Sequence, residues 1–313
     1  MRGGRAKEIE LRPRALNFPC VTDRGPTFHS QRPDETRARL ERVLALLEAH
    51  GLKIQPGSRA ARFIRLLQQF ANGELGPGVV GSLPDDVNEL LEANRDFAEL
   101  AAIVDHLLAA QPPAAKALLA KLKHVLGGAR FPREDANALP RSTQFELYVA
   151  ARCALAGLAP KLREPDCVVT IGKVCLGIAA KRLAGSDVPG LVKQGASQLR
   201  KAKLDGLVAL SLDRLFAPND ERLVADTPEG LKPAAWDIAL DTVRPYFDAL
   251  DRSASGSRAL AVLAFVVVPA AIPSTNSIVR VESVFLHVLR RITQAQAAAL
   301  MEINERLGQH SAI

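Results

Sequence analysis

The chain has 313 residues, of which 48% are hydrophobic and 24% are charged, so it can bury one large or two modest cores and is not disordered throughout. Its net charge of +7 favours a polyanionic partner, with nucleic acid first. The longest apolar run, residues 259–273, is too short for a membrane helix and contains Pro269, so we expect no membrane partner.

The cysteines and the N-terminus indicate the compartment. The four cysteines form no CxxC pair, and the basic N-terminus lacks the apolar segment of a secretion signal. Both features are typical of a protein of the reducing cytoplasm, which is the localisation we predict.

The first portion of the chain is predicted to be helical. Residues 1–33 are rich in Arg, Pro and Gly without a period, which predicts an irregular N-terminal arm. A helix follows, in which apolar residues from Leu40 to Leu47 form one stripe and Gly51 ends it. Three further helices are predicted over residues 58–73, 85–110 and 114–128. We therefore expect an all-helical domain over residues 34–138.

The second portion, residues 139–313, alternates between helical and strand patterns. Helices are predicted over residues 143–159, 189–203, 235–250 and 293–308. Strands are predicted over residues 167–171, 174–180, 206–212, 259–268 and 281–289. This order predicts an α/β fold with mixed strand directions.

A short hairpin carries two charged residues at its open end. Residues 172–173, Gly-Lys, separate two β-rich runs by two residues, which predicts a tight hairpin loop. Counting back from that loop places Asp166 opposite Ala179. Because side chains alternate between faces, Asp166 and Lys181 fall on one face as diagonal neighbours.

This pair suits two readings. A carboxylate is a hard oxygen ligand for Mg²⁺, and a neighbouring lysine can position a water or stabilise charge on a phosphate. The alternative is an ordinary salt bridge at a strand edge.

The helix before the hairpin carries a further acid. Glu146 lies on one stripe with the small residues Ala150, Cys153 and Gly157, a pattern that lets the helix lie close to a sheet. Glu146 is then drawn toward the core or a cleft, where a carboxylate needs a metal or a cation.

The helix after the hairpin carries cations and amides. Residues 161–203 contain nine Lys or Arg against three Asp or Glu, whereas residues 84–111 contain seven acids against Arg95 alone. The predicted nucleic-acid-binding residues are Lys193, Gln194, Gln198, Arg200, Lys201 and Lys203. A solvated helix face is the alternative reading of these cations.

These features together resemble the PD-(D/E)XK nuclease superfamily. The resemblance rests on the helix with Glu146, on Pro165-Asp166, on the strand that ends Ala-Ala-Lys at Lys181, and on the following helix with glutamine. It covers about residues 140–215. It implies a restriction-endonuclease-like fold, with a mixed β-sheet flanked by helices, here preceded by the all-helical N-terminal portion.

The resemblance also implies roles for individual residues. Asp166 would be the central ligand of Mg²⁺ or Mn²⁺, Glu146 the accessory ligand, and the main-chain carbonyl of Ala180 a third contact. Lys181 would position the attacking water. The helix glutamine that some members carry corresponds to Gln194 or Gln198.

One departure leaves the activity open. The family usually has an acid two residues before the lysine, where this chain has Ala179. The first hypothesis is a metal-dependent nuclease that hydrolyses DNA phosphodiester bonds, in restriction, phage defence or repair. The alternative is a catalytically inactive, nuclease-like protein that binds nucleic acid or acts as a scaffold. The helical portion is the candidate surface for a homodimer or a partner protein.

Overall fold

The fold combines helices with one mixed β-sheet. The computed structural model describes residues 8–9, 27–79, 84–109, 116–128, 139–183, 186–213, 223–253, 257–289 and 292–309. Within them the chain is α/β, as predicted, and both helical and strand-rich portions are present.

Caps in the sequence set the ends of some of the helices. Ser58 caps the second helix by accepting a hydrogen bond from the Ala61 amide, and Gly51, with φ +68°, follows the first. The helices are α1 (Pro33–Ala49), α2 (Arg59–Ala71), α3 (Pro84–Ile103), α4 (Lys116–Val125), α5 (Leu139–Leu155), α6 (Val188–Ala202), α7 (Pro228–Val243), α8 (Phe247–Ser253) and α9 (Gln294–Gln309). None of the helices in the described ranges is long and apolar enough to cross a membrane.

Six main strands and one short strand form the sheet. The strands are β1 (Glu8–Ile9), β2 (Thr27–Gln31), β3 (Cys167–Ile171), β4 (Val174–Arg182), β5 (Gly206–Ser211), β6 (Leu223–Val224), β7 (Ala259–Ile272), β8 (Ser277–Val288) and β9 (Ile292–Thr293). The order is β2-β8-β7-β5-β4-β3, with β6 paired to β7 and β1 paired separately to β9. The β4–β5 and β5–β7 pairs are parallel, and β3–β4, β7–β8 and β2–β8 are antiparallel.

Helices cover both faces of this sheet. One apolar cluster contains residues of helices α1 through α5 and α9 together with strand residues such as Ile178 and Leu263. A second contains residues of α6, α7 and α8 together with strand residues such as Ala179 and Val262. Consecutive residues of a strand therefore face different helix layers. Residues of the helical portion, such as Leu67 and Phe97, belong to the same apolar cluster as strand residues such as Ile178 and Leu263.

The predicted irregular arm contains strand structure. Residues 27–31 form β2 and pair with β8, and Glu8–Ile9 pairs with β9, so the arm contributes an edge strand to the main sheet. The pattern was missed because Thr27–Gln31 reads TFHSQ, without a run of β-branched or apolar residues. The other residues of the arm lie outside the described ranges.

The acidic segment 84–111 is turned inward against arginines. Five of the seven acids of this segment, four in α3 and Asp105 after it, contact an arginine from another part of the fold or from the same helix. The pairs are Glu89–Arg62, Glu92–Arg95, Asp96–Arg59, Asp96–Arg141, Glu99–Arg182 and Asp105–Arg42. Most of the acidic charge of this segment is thus paired with arginine, which explains how so acidic a helix can be central.

Buried polar contacts hold α5 near both ends. Near its start, the Gln144 amide donates to Glu99 Oε2 at 2.8 Å and accepts from Arg59. Near its end, Arg152 forms an ion pair with Glu282 of β8 and donates to the carbonyl of Leu307 in α9. This helix is therefore fixed relative to both the helical layer and the sheet.

Candidate functional site

The hairpin has the predicted register. Ile171 pairs with Val174 and Cys167 with Ile178, so the next pair outward is Asp166 opposite Ala179. Gly172 has φ +56°, which places a glycine where a side chain would be strained. The two-residue loop and the position of Asp166 at the open end of the hairpin are as predicted.

Asp166 lies in the plane of the sheet rather than over one face. Its Oδ2 accepts a hydrogen bond from the amide of Ala180 at 2.8 Å, and strand amides point along the sheet toward the neighbouring strand. The carboxylate therefore takes the place of a main-chain acceptor where β3 begins. At this edge it is accessible to groups from both helix layers.

Lys181 holds the two oxygens that the resemblance assigns to a metal. Its Nζ donates to the carbonyl oxygen of Ala180 at 2.8 Å and to Asp166 Oδ2 at 3.3 Å. Both side chains are largely buried, with exposed fractions of 14% and 9%. The ammonium is thus the cation that these oxygens contact.

Glu146 approaches from the other face of the sheet. It lies on α5, whose neighbouring residues pack against Cys167 and Ile178, whereas Ala179 packs against α6. The Glu146 charge is close enough to Asp166 to raise the pKa of that carboxyl. Its direct contact is Lys121 of α4, whose Nζ lies 3.0 Å from Glu146 Oε2. The site therefore contains two carboxylates and two ammonium groups.

The Asp166 carboxyl has a strongly shifted pKa. Burial is the largest cause and raises it, Lys181 lowers it, and Glu146 raises it again, with the result that the pKa is about 6. A carboxyl that titrates near neutral pH inside a small charged cluster is typical of a functional site, although structural ion pairs also produce such shifts.

Ala179, the position of the missing acid, lies in an apolar environment. It is fully buried and packs with Val188, Val192 and Leu199. A carboxylate there would be placed among apolar side chains of α6 rather than beside Asp166 in the plane of the sheet.

The residues of α6 are arranged around the other side of the hairpin. Gly195 lies against Val208, the strand partner of Ala179, so Gln194 is at the level of the site. Leu199 and Pro165 both lie beside Gly177. A side-chain carbon added at Gly177 would be 2.9 Å from Leu199 and 3.0 Å from Pro165. The exposed residues of this face are Lys193, Gln194, Arg200, Lys201 and Lys203.

Gln198 differs from its exposed neighbours. It is half-buried, and its Oε1 has no hydrogen-bond partner in the described part of the chain. Gln194 and Gln198 are both candidates for the helix glutamine that the resemblance implies.

The oxygen atoms at this site are the kind of ligand that a small hard cation prefers. Asp166, Glu146 and the Ala180 carbonyl supply oxygen atoms only, and Mg²⁺ commonly keeps several waters while bound by one or two carboxylates. No three His, Cys, Asp or Glu side chains come together as a metal-holding group among the described residues. A divalent cation at these oxygens would have to displace the Lys181 ammonium.

Two contributors to this region were not found from the sequence. Lys121 pairs with Glu146, but in the sequence it is one of three lysines on an amphipathic helix and carries no distinguishing signal. Arg182 follows Lys181 and donates to Glu99 Oε1 at 2.5 Å, which connects the end of β4 to α3. Its position directly after the lysine was the available signal.

Comparison with known proteins adds no relative. Neither protein-family models nor curated proteins nor solved structures give a match to this chain.

Proposed function

We propose that the chain has a restriction-endonuclease-like fold and is a metal-dependent nuclease acting on DNA phosphodiester bonds. The observation that carries the proposal is the meeting of the Asp166 carboxylate, the Ala180 carbonyl and the Lys181 ammonium at the open end of the β3–β4 hairpin. Glu146 supplies a second carboxylate within electrostatic range. These are the groups and the order that the superfamily resemblance implies.

The residues of the site would divide the work. Asp166, Glu146 and the Ala180 carbonyl would hold Mg²⁺ or Mn²⁺. When bound, such an ion supplies Lewis acidity toward a phosphate oxygen and toward water. Lys181, released from the carbonyl of Ala180, would hold the attacking water and donate hydrogen bonds to the phosphate. The cations of α6 would orient the DNA backbone.

The direct test is incubation of the purified protein with single- and double-stranded DNA and Mg²⁺, Mn²⁺ or a chelator. We expect cleavage that requires the metal and stops with the chelator. Because the Asp166 carboxyl has a pKa of about 6, cleavage should fall as the pH drops below that value. Cleavage that persists in the chelator would exclude the proposed chemistry.

Removing Lys121 should strengthen metal binding, because in the wild type its ammonium competes with the metal for Glu146. Replacing it in Lys121→Met removes a cation 3.0 Å from a carboxylate that would be a metal ligand. The lysine side chain is 40% exposed, so the pair is worth up to about 1 kcal/mol and Mn²⁺ binding should strengthen by up to about fivefold. Calorimetric titration with Mn²⁺ measures this change.

Lys123→Met is the matched control for Lys121→Met. Lys123 lies on the same helix and is exposed, and it makes no ion pair within the described residues. It should leave Mn²⁺ affinity unchanged. Equal Mn²⁺ affinity in wild type and Lys121→Met would mean that Glu146 is not a ligand.

DNA binding should depend on the exposed cations of α6. Each phosphate that a protein cation neutralises releases condensed counterions, so affinity falls with salt. Replacing Lys193, Arg200, Lys201 and Lys203 together with Gln should reduce the slope of log affinity against log salt by about 3 to 4 for duplex DNA. Fluorescence anisotropy over a salt series, in chelator, measures this slope.

A variant with the same change in net charge controls for non-specific attraction. It replaces four exposed cations that lie outside α6, namely Lys53, Arg65, Arg244 and Arg252, with Gln. This control should keep most of the wild-type slope. Similar slopes in both fourfold variants would remove α6 as the nucleic-acid interface.

A non-catalytic nucleic-acid-binding protein is the second candidate function. The observation that favours it is the neutrality of the site, in which Lys181 holds the Ala180 and Asp166 oxygens and Lys121 holds Glu146. The burial of Ala179 among apolar residues points the same way. This candidate predicts DNA binding that depends on α6, with no cleavage under any metal.

A further inference from the structure

The two ammonium groups of the carboxylate site hold the oxygen atoms that a metal ion would need. Lys181 Nζ lies 2.8 Å from the Ala180 carbonyl oxygen and 3.3 Å from Asp166 Oδ2. Lys121 Nζ lies 3.0 Å from Glu146 Oε2. The charges of two carboxylates and two ammonium groups cancel, so these four side chains offer a divalent cation no excess of negative charge.

Ala179 adds nothing to offset the ammonium groups. It stands where the superfamily usually has an acid, so no third carboxylate is present at that position. Metal affinity depends on the number of charged ligands. The free protein should therefore bind Mg²⁺ or Mn²⁺ weakly as long as Lys181 keeps its place between the Ala180 carbonyl and Asp166.

The Lys181 ammonium can take a further partner. An ammonium has three N–H donors, and in the described part of the chain this one donates only to Asp166 Oδ2 and to the Ala180 carbonyl. The side chain is 14% exposed and carries its charge on a flexible four-carbon stem. One donor is thus left for an acceptor that arrives from solvent.

DNA held by α6 would supply such an acceptor. Gly195 of this helix packs against Val208, the strand partner of Ala179. The helix therefore runs beside β4 just before Lys181, and its Lys193 is exposed. Phosphate oxygens of DNA accept charge-assisted hydrogen bonds from ammonium groups.

We propose that DNA binding opens the metal site: a phosphate of the bound duplex draws the Lys181 ammonium away from Asp166 and the Ala180 carbonyl, so DNA and metal bind with positive coupling. This coupling rests on the proposed function, since it takes DNA as the substrate. A ligand shifts an equilibrium only by its different affinity for two states. Here the two states are Lys181 on the metal-binding oxygens and Lys181 on the phosphate.

Coupling between two ligands is reciprocal. If DNA raises the affinity for Mn²⁺ by some factor, Mn²⁺ raises the affinity for DNA by the same factor, and such factors are typically about 5 to 150. Because Mn²⁺ also binds to DNA itself, DNA affinity with and without Mn²⁺ is the quantity to measure. This measurement requires no cleavage.

The test is fluorescence anisotropy of a labelled duplex with phosphorothioate linkages, which resist hydrolysis. The duplex is titrated with the full chain in Mn²⁺ or in chelator, at equal ionic strength. Mn²⁺ also screens the phosphates, so Asp166→Ala, which lacks the principal metal ligand, provides the baseline. Relative to that baseline, Mn²⁺ should tighten DNA binding by the wild type by about 5- to 150-fold.

Lys181→Met and Lys181→Gln should reduce this coupling to below about fivefold, because the ammonium that DNA would have to move is gone. Both should also bind Mn²⁺ without DNA more tightly than the wild type does, as measured by calorimetry. Gln keeps a donor for the Ala180 carbonyl, so it serves if the Met variant does not fold. Lys173→Gln removes an exposed charge in the turn of the hairpin and should keep the wild-type coupling.

Two results would overturn the coupling and leave the nuclease function in place if cleavage is observed. One is an equal effect of Mn²⁺ on DNA binding by the wild type and by Asp166→Ala. The other is an equal effect in the wild type and in a folded Lys181 variant. Coupling without cleavage would support the role of Lys181 and exclude the nuclease. A wild type that binds no DNA would overturn both.

Discussion

Asp166→Ala should reduce metal-dependent DNA cleavage to background, and Lys181→Ala should slow it by roughly 10²–10³-fold. Asp166 is the carboxylate at the centre of the cluster, so its loss removes the principal metal ligand. Lys181 stabilises charge and orients water, and the loss of one such preorganised donor typically has an effect of about this size. Single-turnover cleavage of a labelled duplex, with Mg²⁺ or Mn²⁺ in excess, measures both.

The two variants should differ in metal binding. Asp166→Ala should lose calorimetric Mn²⁺ binding, whereas Lys181→Ala should retain or strengthen it, because the ammonium that contacts Ala180 O and Asp166 Oδ2 is gone. A lysine that merely stabilised the fold would show no such separation between metal binding and cleavage.

Lys173→Ala is the matched control for Lys181→Ala. Lys173 is exposed in the turn of the same hairpin, away from the carboxylates, and its removal should leave cleavage and Mn²⁺ binding unchanged. Wild-type rates in both Asp166→Ala and Lys181→Ala would rule out this site. DNA binding without cleavage by the wild type would select the non-catalytic function.

Asp166→Asn should raise the free energy of unfolding by about 3 kcal/mol at pH 8, because the folded-state pKa of about 6 exceeds the ordinary value of 3.8 by roughly two units and each unit is worth about 1.4 kcal/mol. The side chain is only 9% exposed, so solvent screening reduces this figure little. Urea unfolding at several pH values measures the difference. A site that costs stability is expected where function requires a buried charge.

The pH dependence of this effect has a definite sign. The folded state holds the Asp166 proton more tightly than the unfolded state does, so this group stabilises the protein fully below about pH 4. That contribution is lost as the pH rises through about 6. The difference between wild type and Asp166→Asn should therefore be small at pH 4 and complete by pH 8.

An exposed aspartate provides the control. Asp226→Asn removes a carboxylate on the surface and should change stability by less than about 0.5 kcal/mol at any pH. A wild-type stability that rises from pH 5 to pH 8, with Asp166→Asn less stable throughout, would contradict the shifted carboxyl.

The hairpin was predictable because its signals are local. Gly172 lies between two runs of β-forming residues, and once the loop is placed, counting fixes Asp166 opposite Ala179. The charge of Asp166 and Lys181 then stands out against an apolar background. The α/β class followed in the same way from alternating patterns, with α7 and α8 merged into one predicted helix.

The remaining parts of the site depend on contacts that no local pattern encodes. Glu146 acts on Asp166 through its charge, and its contact Lys121 lies 25 residues earlier in the chain, on another helix. The burial of Ala179 results from the packing of α6. Strand β2 was missed because its inward residues, His29 and Gln31, line a polar cavity rather than an apolar core.

The anchoring of α5 has a consequence for protein engineering. Because Gln144 and Arg152 are held by buried contacts to other elements, the backbone beneath Glu146 is a rigid platform. Designed metal sites need ligands on such fixed elements, since small errors in position weaken coordination. Substitutions at Glu146 and Lys121 therefore change the length and the charge of the metal-binding side chains without moving the backbone. This makes the region a suitable scaffold for a designed metal site.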